Sequence, residues 1–230
     1  VIMDRLDKVL SNKGYGSRKE VKKVIRKGFV KVNNETILKE TFKVDINDLI
    51  QVYDEEFIYQ EFVYIMLNKP QDIICSTFDE NHMTVLDIID DKTKGLFPVG
   101  RLDIDTEGFC LISNDGQLAH KLLTPKNKVP KTYEVHSENK LSNEDILKIE
   151  SGMIIDDEKC LPAIIKEVND YYELTIYEGK YHQIKRMFNK LNNKVVYLKR
   201  IKIGELNLDS TLELGEYRYL TEEEIILLTK

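Results

Sequence analysis

Cysteine, proline and glycine are scarce in this chain of 230 residues, with 3, 5 and 11 copies respectively. The cysteines Cys75, Cys110 and Cys160 lie far apart, which excludes a CxxC metal or redox motif and argues against a disulfide framework. The low proline and glycine content, together with 42% hydrophobic residues, excludes wholesale disorder and allows a core. No apolar run approaches the length of a transmembrane helix. The first residues show no signal-peptide pattern, so we expect a cytoplasmic protein without a membrane partner.

Net charge alone, −6 for the whole chain, would disfavour a nucleic-acid partner. The distribution of the charges points the other way. Residues 3–51 contain 12 Lys or Arg against 7 Asp or Glu, and the segments 117–133 and 180–202 contain four and eight basic residues and no acidic residue. Because the local field governs polyanion binding, these three regions are candidates for contact with RNA or DNA.

Residues 1–53 have the pattern of a small α/β module. Apolar residues at helical spacing predict a helix that ends near Gly14. Ser17 and Glu20 form a capping box at the start of a second helix, which Gly28 ends. Short strands and turns follow. The second helix carries six basic side chains, Arg18, Lys19, Lys22, Lys23, Arg26 and Lys27. One interpretation is a solvated surface face. The other is an RNA-binding or DNA-binding face, since the repulsion among these like charges would be relieved by the phosphates of a bound nucleic acid.

The acidic segment 54–61 is predicted to be a linker, and residues 62–230 to form a larger domain. Strands outnumber helices there and do not alternate with them, which favours an α+β fold with a mixed or largely antiparallel sheet. The predicted strands are 62–67, 73–75, 109–113, 132–135, 163–168, 172–177 and 195–203. The predicted helices are 115–123, 142–151, 181–191 and 221–228.

The segment 100–108 places Arg101, Asp103 and Asp105 directly before an apolar run, 109–112, that reads as a buried strand. Charged groups at the edge of a buried strand are costly unless they are paired or functional. The simplest interpretation is an exposed acidic loop with a weak salt bridge.

A calcium loop is a second interpretation of the same segment. Asp103, Asp105, Glu107 and Gly108 occupy its positions one, three, five and six. Position twelve would be Asn114 instead of the bidentate glutamate, and the intervening residues are strand-like. We therefore predict no metal site.

The first module resembles the S4 type of RNA-binding domain. The resemblance is carried by the segments 5–8, 17–19 and 28–33, with the sequences RLDK, SRK and GFVKVN. It implies that the face with these basic residues binds structured RNA.

The larger domain resembles the RsuA family of ribosomal RNA pseudouridine synthases. Five segments carry the resemblance and occur in the order of the family: 64–70 (YIMLNKP), 100–116 (from GRLD to NDG), 131–135 (KTYEV), 178–187 (EGKYHQIKRM) and 215–221 (from GEYR to LT). Together they span nearly all of the domain. The resemblance implies the fold of a pseudouridine synthase, an RNA substrate and a reaction without cofactor or metal.

Three catalytic residues are implied by this resemblance. Asp103 would be the catalytic aspartate, with Asp105 and Glu107 as neighbours that do not replace it. Tyr133 would stack on the flipped target base, although a strand tyrosine can equally belong to the core. Lys185 would be the basic partner of Asp103, whose charged form it favours.

His182 admits two interpretations, a general base because imidazole titrates near neutrality, or a helix-start residue that contacts RNA or structure. Arg101 would contact the RNA backbone or brace the loop. The complete implied set of RNA-binding residues is Arg5, Lys8, Ser17, Arg18, Lys19, Lys22 and Arg26 in the first module and Lys69, Arg101, His182, Gln183 and Arg186 in the second.

The sequence therefore predicts a monomeric enzyme that isomerises one uridine of ribosomal RNA. Within the family, the segment 180–185 (KYHQIK) is similar to members that act on small-subunit RNA, whereas large-subunit enzymes typically carry an Asn-Arg-Gln version. A large-subunit enzyme of the same family is one alternative. A non-catalytic S4-type ribosome-assembly factor is the other.

Overall fold

A computed structural model describes residues 3–230 of the chain, so the first two residues of the predicted module lie outside the described part. The chain divides into two units. The first comprises the residues up to Val63 together with Asp90–Leu96, and the second comprises Tyr64–Ile89 and Phe97–Lys230. Within residues 3–230, no helix is long and apolar enough to cross a bilayer.

The described part of the first unit contains two helices and six short strands. They are β1 (Met3–Arg5), α1 (Leu6–Lys13), α2 (Arg18–Arg26), β2 (Val30–Val32), β3 (Glu35–Thr36), β4 (Lys43–Asp45), β5 (Leu49–Val52) and β6 (Glu55–Ile58). β1 pairs with β4, and the remaining four strands form an antiparallel sheet in the order β3-β2-β5-β6.

The helix boundaries of this unit follow from local sequence, as predicted. α1 ends at Gly14, whose φ of 99° is the left-handed conformation that glycine adopts without strain. Ser17 Oγ accepts from the backbone N–H of Glu20, and Glu20 accepts from the backbone N–H of Ser17, which completes the capping box of α2. Val21 and Ile25 on the inner face of α2 are fully buried in the core of the unit.

The segment 54–61 forms part of the first unit and not the predicted linker. A turn at Tyr53, with a φ of 53°, reverses the chain, and β6 then pairs antiparallel with β5. The acidic side chains of Glu55 and Glu56 stay exposed, while Tyr59 is buried and donates from its hydroxyl to Asp4 at 2.9 Å. An acidic strand at a sheet edge has the composition of a solvated loop, which explains the difference from the prediction.

The second unit contains eleven strands, four helices and a short 3₁₀ turn at Pro125–Asn127. The strands are β7 (Tyr64–Lys69), β8 (Phe97–Pro98), β9 (Glu107–Ser113), β10 (Lys131–Ser137), β11 (Ile154–Ile155), β12 (Glu158–Lys159), β13 (Ile164–Val168), β14 (Tyr171–Ile176), β15 (Val195–Ile203), β16 (Leu206–Asn207) and β17 (Tyr217–Tyr219). The helices are α3 (Gly116–Leu123), α4 (Asn143–Ser151), α5 (Gln183–Lys190) and α6 (Glu222–Leu227).

A nine-stranded mixed sheet organises the second unit. Seven strands follow the order β13-β14-β10-β15-β9-β7-β17, with β16 paired to β15 and β8 paired to β9. Every pairing is antiparallel except that of β15 with β9. The predicted α+β class with a mixed, largely antiparallel sheet is confirmed.

Gly108 occupies a crowded point of this sheet. It lies opposite Lys69 of β7 and Arg200 of β15. Its φ is 101°, and a Cβ atom there would meet the carbonyl oxygen of Arg200 at 2.3 Å. Only glycine fits a position with both constraints. The chain can therefore enter β9 directly from the acidic turn that precedes it.

Candidate active site

Asp103 lies in a tight turn between β8 and β9. The backbone N–H of Thr106 donates to the Asp103 carbonyl oxygen at 3.1 Å, which closes the turn. The side chain of Asp103 is 26% exposed. Its carboxylate is therefore accessible to a ligand without being fully hydrated.

Lys185 of α5 joins the two aspartates of this turn. Its Nζ atom lies 2.8 Å from Oδ2 of Asp103 and 2.6 Å from Oδ1 of Asp105. Burial lowers the pKa of Lys185, but its hydrogen bonds to both carboxylates outweigh this effect, and the pKa is raised. For the acid Asp105 the two effects have the opposite signs. Burial raises its pKa, but the hydrogen bond and charge of Lys185 outweigh burial, and the pKa is lowered. The predicted pairing of residues 103 and 185 is present, and Asp105 is an additional partner.

His182 approaches the same carboxylate from the other side. Its Nε2 atom lies 3.4 Å from Oδ1 of Asp103. The residue precedes α5 in the left-handed conformation, with a φ of 47°, and it makes no side-chain cap. The residue therefore lies at the helix start, as one interpretation expected, and its imidazole also faces Asp103.

Lys69 is a correction to the predicted RNA-binding set. Its side chain is fully buried at the end of β7. The three N–H groups of the ammonium are shared among four carbonyl oxygens, those of Pro70 (2.9 Å), Asp103 (3.2 Å), Ile104 (3.4 Å) and Thr106 (2.9 Å). Burial lowers the pKa of Lys69. The lysine holds the backbone of the Asp103 turn and is not accessible to RNA.

Gln183 is a second correction to that set. It is 4% exposed; its Nε2 atom donates to Glu178 at 2.9 Å, and its Oε1 atom accepts from the backbone N–H of Lys180 at 3.0 Å. Arg186 donates to the Tyr181 carbonyl oxygen at 3.0 Å and pairs with Asp156. Gln183 and Arg186 therefore brace the segment that leads into α5.

A pair of thiols lies behind the turn. The Sγ atoms of Cys75 and Cys110 are 3.8 Å apart, and both residues are buried. Cys75 Sγ also accepts from the backbone N–H of Leu102 at 3.3 Å, one residue before Asp103. Donation from the Cys110 thiol and from Leu102 lowers the pKa of Cys75.

Tyr133 lies in the middle of β10, opposite Leu174 of β14 and Arg200 of β15. It is 8% exposed. No hydrogen bond joins it to Asp103 or Lys185 among the described residues. Much of its ring belongs to the core, and its role toward the target base stays a prediction.

The predicted RNA-binding residues of the first unit are largely engaged with carboxylates. Asp7 is fully buried and accepts from Arg5 and Arg18, each at 3.0 Å, while Lys22 Nζ lies 3.9 Å away. Burial raises the pKa of Asp7, but the two arginines outweigh it, and the pKa is lowered. Lys8 pairs with Asp4.

The outer face of α2 differs from the side that holds Asp7. Arg26 pairs with Glu40. Lys19, Lys23 and Lys27 are exposed and form no ion pair within residues 3–230. These three ammonium groups are therefore available to a polyanion. In the second unit, Arg101 is also exposed.

The calcium-loop interpretation does not fit the geometry of the turn. The residues after Gly108 continue β9 as far as Ser113, so Asn114 lies at the far end of a seven-residue strand. The ammonium of Lys185 lies between the first two would-be ligands. No group of three or more His, Cys, Asp or Glu side chains in the described part of the chain is arranged to hold a metal ion.

The roles of three residues in this site were not predicted from the sequence: Asp105 as a second partner of Lys185, Lys69 as a buried donor to the turn, and Cys75 as an acceptor. Lys69 had a usable signal, because a lysine at the end of an otherwise apolar strand and before a proline has little access to solvent. Cys75 had none, since its contact with Leu102 spans 27 residues of unrelated sequence.

The sequence profile of RNA pseudouridylate synthases matches residues 63–190, and that of the S4 domain matches residues 4–50. An uncharacterized RNA pseudouridine synthase of Bacillus subtilis, YtzG, is 48% identical, with 98% of each chain covered. The ribosomal small subunit pseudouridine synthase A of Vibrio parahaemolyticus is 41% identical, over 96% of this chain and 97% of that protein. A crystal structure of a pseudouridylate synthase superimposes with a TM-score of 0.69 at 38% identity, over 97% of this chain and 99% of that one.

These matches agree with the site, in which the acidic turn and α5, a helix that begins within the 178–187 segment, bring Asp103 and Lys185 into contact. The chain belongs to the RNA pseudouridylate synthase family, whose members are isomerases, and it carries an S4 domain.

Proposed function

We propose that this protein isomerises a uridine of small-subunit ribosomal RNA to pseudouridine, with the Asp103 carboxylate as the catalytic group. The observation that carries the proposal is the pairing of a partly exposed Asp103 with Lys185 at 2.8 Å. A carboxylate with one cationic partner and an open side can act on a bound nucleoside.

The reaction adds and removes no group. The N1–C1′ bond of the uridine breaks, the uracil turns, and a C5–C1′ bond forms while the C5 proton is released and N1 gains a proton. Asp103 can serve as a nucleophile or as a base that removes a ribose proton. Both roles need a charged carboxylate and a uracil that has left its helix or loop.

Lys185 supports either role without leaving its position. Its raised pKa means that it stays an ammonium ion through the neutral range. Because Lys185 also donates to Asp105 at 2.6 Å, its ammonium is held between the two carboxylates while it contacts Oδ2 of Asp103. His182 lies 3.4 Å from the other oxygen of Asp103.

The small-subunit assignment has separate support. Proteins named ribosomal small subunit pseudouridine synthase A, from Vibrio and Haemophilus species, are 38% to 42% identical over at least 96% of this chain. The segment 180–185 (KYHQIK), which contains Lys185 and His182, resembles the version found in small-subunit members of the family.

Incubation of the protein with separate small-subunit and large-subunit ribosomal RNA transcripts tests the proposal. We expect pseudouridine at one position of the small-subunit RNA only. The position is mapped by a chemical modification specific to pseudouridine, and partly assembled subunits are tested in parallel as substrates. Modification confined to large-subunit RNA would contradict the small-subunit assignment. The absence of pseudouridine from both RNAs and from the assembled particles would favour the non-catalytic alternative.

The S4 domain would anchor the RNA through the exposed face of α2. Replacement of Lys19, Lys23 and Lys27 with alanine should weaken binding, because each ammonium that contacts a phosphate releases a counterion. We expect the slope of log affinity against log salt concentration to become shallower by about 2 to 3. These three residues are preferred to Arg18 and Lys22, whose removal would leave the buried Asp7 with Arg5 as its one remaining cationic partner among the described residues.

A matched control removes the same charge from the same unit. Lys31, Lys39 and Lys43 are exposed and lie outside α2. Their replacement with alanine should change the slope by less than the α2 variant does. Equal slopes for both variants would mean that the protein responds only to net charge and that α2 is not the contact face.

A further inference from the structure

Tyr181 is the most exposed of the large apolar and aromatic side chains in the described part of the chain, at 76%. Its ring stacks on that of His182, with centroids 3.8 Å apart and 19° between the planes. His182 in turn lies 3.4 Å from Asp103. A single imidazole therefore separates an open aromatic face from the candidate catalytic carboxylate.

The exposure of Tyr181 is not the result of a loose loop. Its carbonyl oxygen accepts from Arg186 at 3.0 Å, and Arg186 is itself paired with Asp156. The backbone N–H of Lys180 donates to the buried Gln183 at 3.0 Å. The turn before α5 is thus held at both sides of Tyr181.

The Tyr181 side chain stacks on the His182 ring and forms no other ring contact in the described part of the chain. Its hydroxyl makes no hydrogen bond within residues 3–230, and one face of the ring lies toward solvent. A fixed backbone that presents an unburied aromatic ring gains nothing for folding. The arrangement is suited to a planar ligand, and the planar groups of an RNA substrate are its bases.

Resting on the proposed function, we infer that Tyr181 stacks on the base that neighbours the target uridine when that uridine is extruded toward Asp103. Extrusion leaves the neighbouring base without its stacking partner, and an aromatic ring can replace that partner. Tyr181 would then be a residue that sets RNA positioning and specificity, whereas Tyr133 is the residue predicted for the target base itself.

Kinetics on an RNA that the wild type modifies test this role. Tyr181→Ala should lower kcat/KM by about 5- to 100-fold, the range that the loss of one base–aromatic stack produces. Tyr181→Phe keeps the ring and should remain within about 2-fold of wild type, because the hydroxyl makes no contact. The control Tyr219→Ala removes a half-exposed tyrosine of β17 that pairs opposite Ile65, at the end of β7 away from Lys69.

An RNA with an abasic nucleotide beside the target completes the cycle. If Tyr181 stacks on that base, the Tyr181→Ala effect disappears on the abasic RNA on one side of the target, 5′ or 3′. A defect of the same size on both abasic RNAs would mean that Tyr181 acts through protein structure, and the inference would be overturned. Wild-type kcat/KM in the Tyr181→Ala variant would overturn it as well.

Fluorescence supplies a readout that does not depend on turnover. The chain contains no tryptophan. Tyr181→Trp in an Asp103→Asn background therefore introduces a sole indole, whose emission should be quenched when the RNA binds, while Tyr219→Trp should not respond. Unquenched emission with bound RNA overturns the stack. If the wild type modifies large-subunit RNA instead, the same measurements on that RNA test the stack, and only the small-subunit assignment fails.

Discussion

Asp103→Asn should abolish pseudouridine formation, with a loss of at least about 10³-fold in the single-turnover rate, the scale expected when a group acting on the reacting atoms is removed. Asparagine has nearly the same shape but carries no charge, so it serves neither as nucleophile nor as base at this position. Release of tritium from uridine labelled at C5 measures the reaction, because that hydrogen leaves as the new glycosidic bond forms.

Binding and folding should be nearly unchanged in this variant. The side chain is partly exposed, and Lys185 keeps Asp105 as a partner at 2.6 Å. The matched control is Asp105→Asn, which removes the other carboxylate of the same lysine. Since Asp105 is 62% exposed and is not the implied catalytic group, we expect less than about a 10-fold loss. If the Asp105 variant were inactive and the Asp103 variant active, the catalytic assignment would be reversed.

Lys69→Met should lower both stability and activity. The substitution keeps the length of the side chain but removes an ammonium that donates to four carbonyl oxygens. Buried acceptors that lose their donor cost about 1 to 3 kcal/mol each, partly offset by the easier burial of methionine, so we expect a net loss of about 3 kcal/mol. Urea titration measures the free energy of unfolding.

The activity of the folded Lys69→Met protein should fall as well, by about 10²-fold, because the backbone of Asp103 loses its support and the carboxylate its fixed position. Lys131→Met separates this effect from general destabilisation. Lys131 is also buried and donates to two carbonyl oxygens, those of Leu122 and Val129, at 3.0 Å each. Its loss should lower stability but leave the single-turnover rate of the folded protein within about 3-fold. Equal rates for both variants would mean that Lys69 is only a structural residue.

Local sequence predicted the features of the fold that depend on neighbouring residues. The capping box of Ser17 and Glu20, the helix end at Gly14 and the long strands of the second unit follow from caps and periodicity. The strand Glu55–Ile58 was missed because its pairing, and not its composition, makes it a strand. The predicted strand 73–75 is reduced to a single bridge between Ile74 and Thr84.

The Asp103–Lys185 pair of the candidate site was predictable from the sequence, but the burial of the surrounding residues was not. The resemblance identified Asp103 and Lys185, which lie 82 positions apart, and the structure places them in contact. The resemblance did not separate basic and polar side chains that face solvent from those that are buried and hold the protein together. Lys69 and Gln183 were assigned to RNA because their residue types suit it, whereas their burial depends on tertiary packing.

The four carbonyl contacts of Lys69 have a consequence for the encounter with substrate. Because Lys69 already holds the backbone of the Asp103 turn by hydrogen bonds, the turn is preorganised, and RNA binding does not have to supply the free energy of ordering it. The conformational work of complex formation then falls on the nucleic acid, which must deform to meet a rigid surface. Such an enzyme would select among uridines by how readily each one leaves its stack.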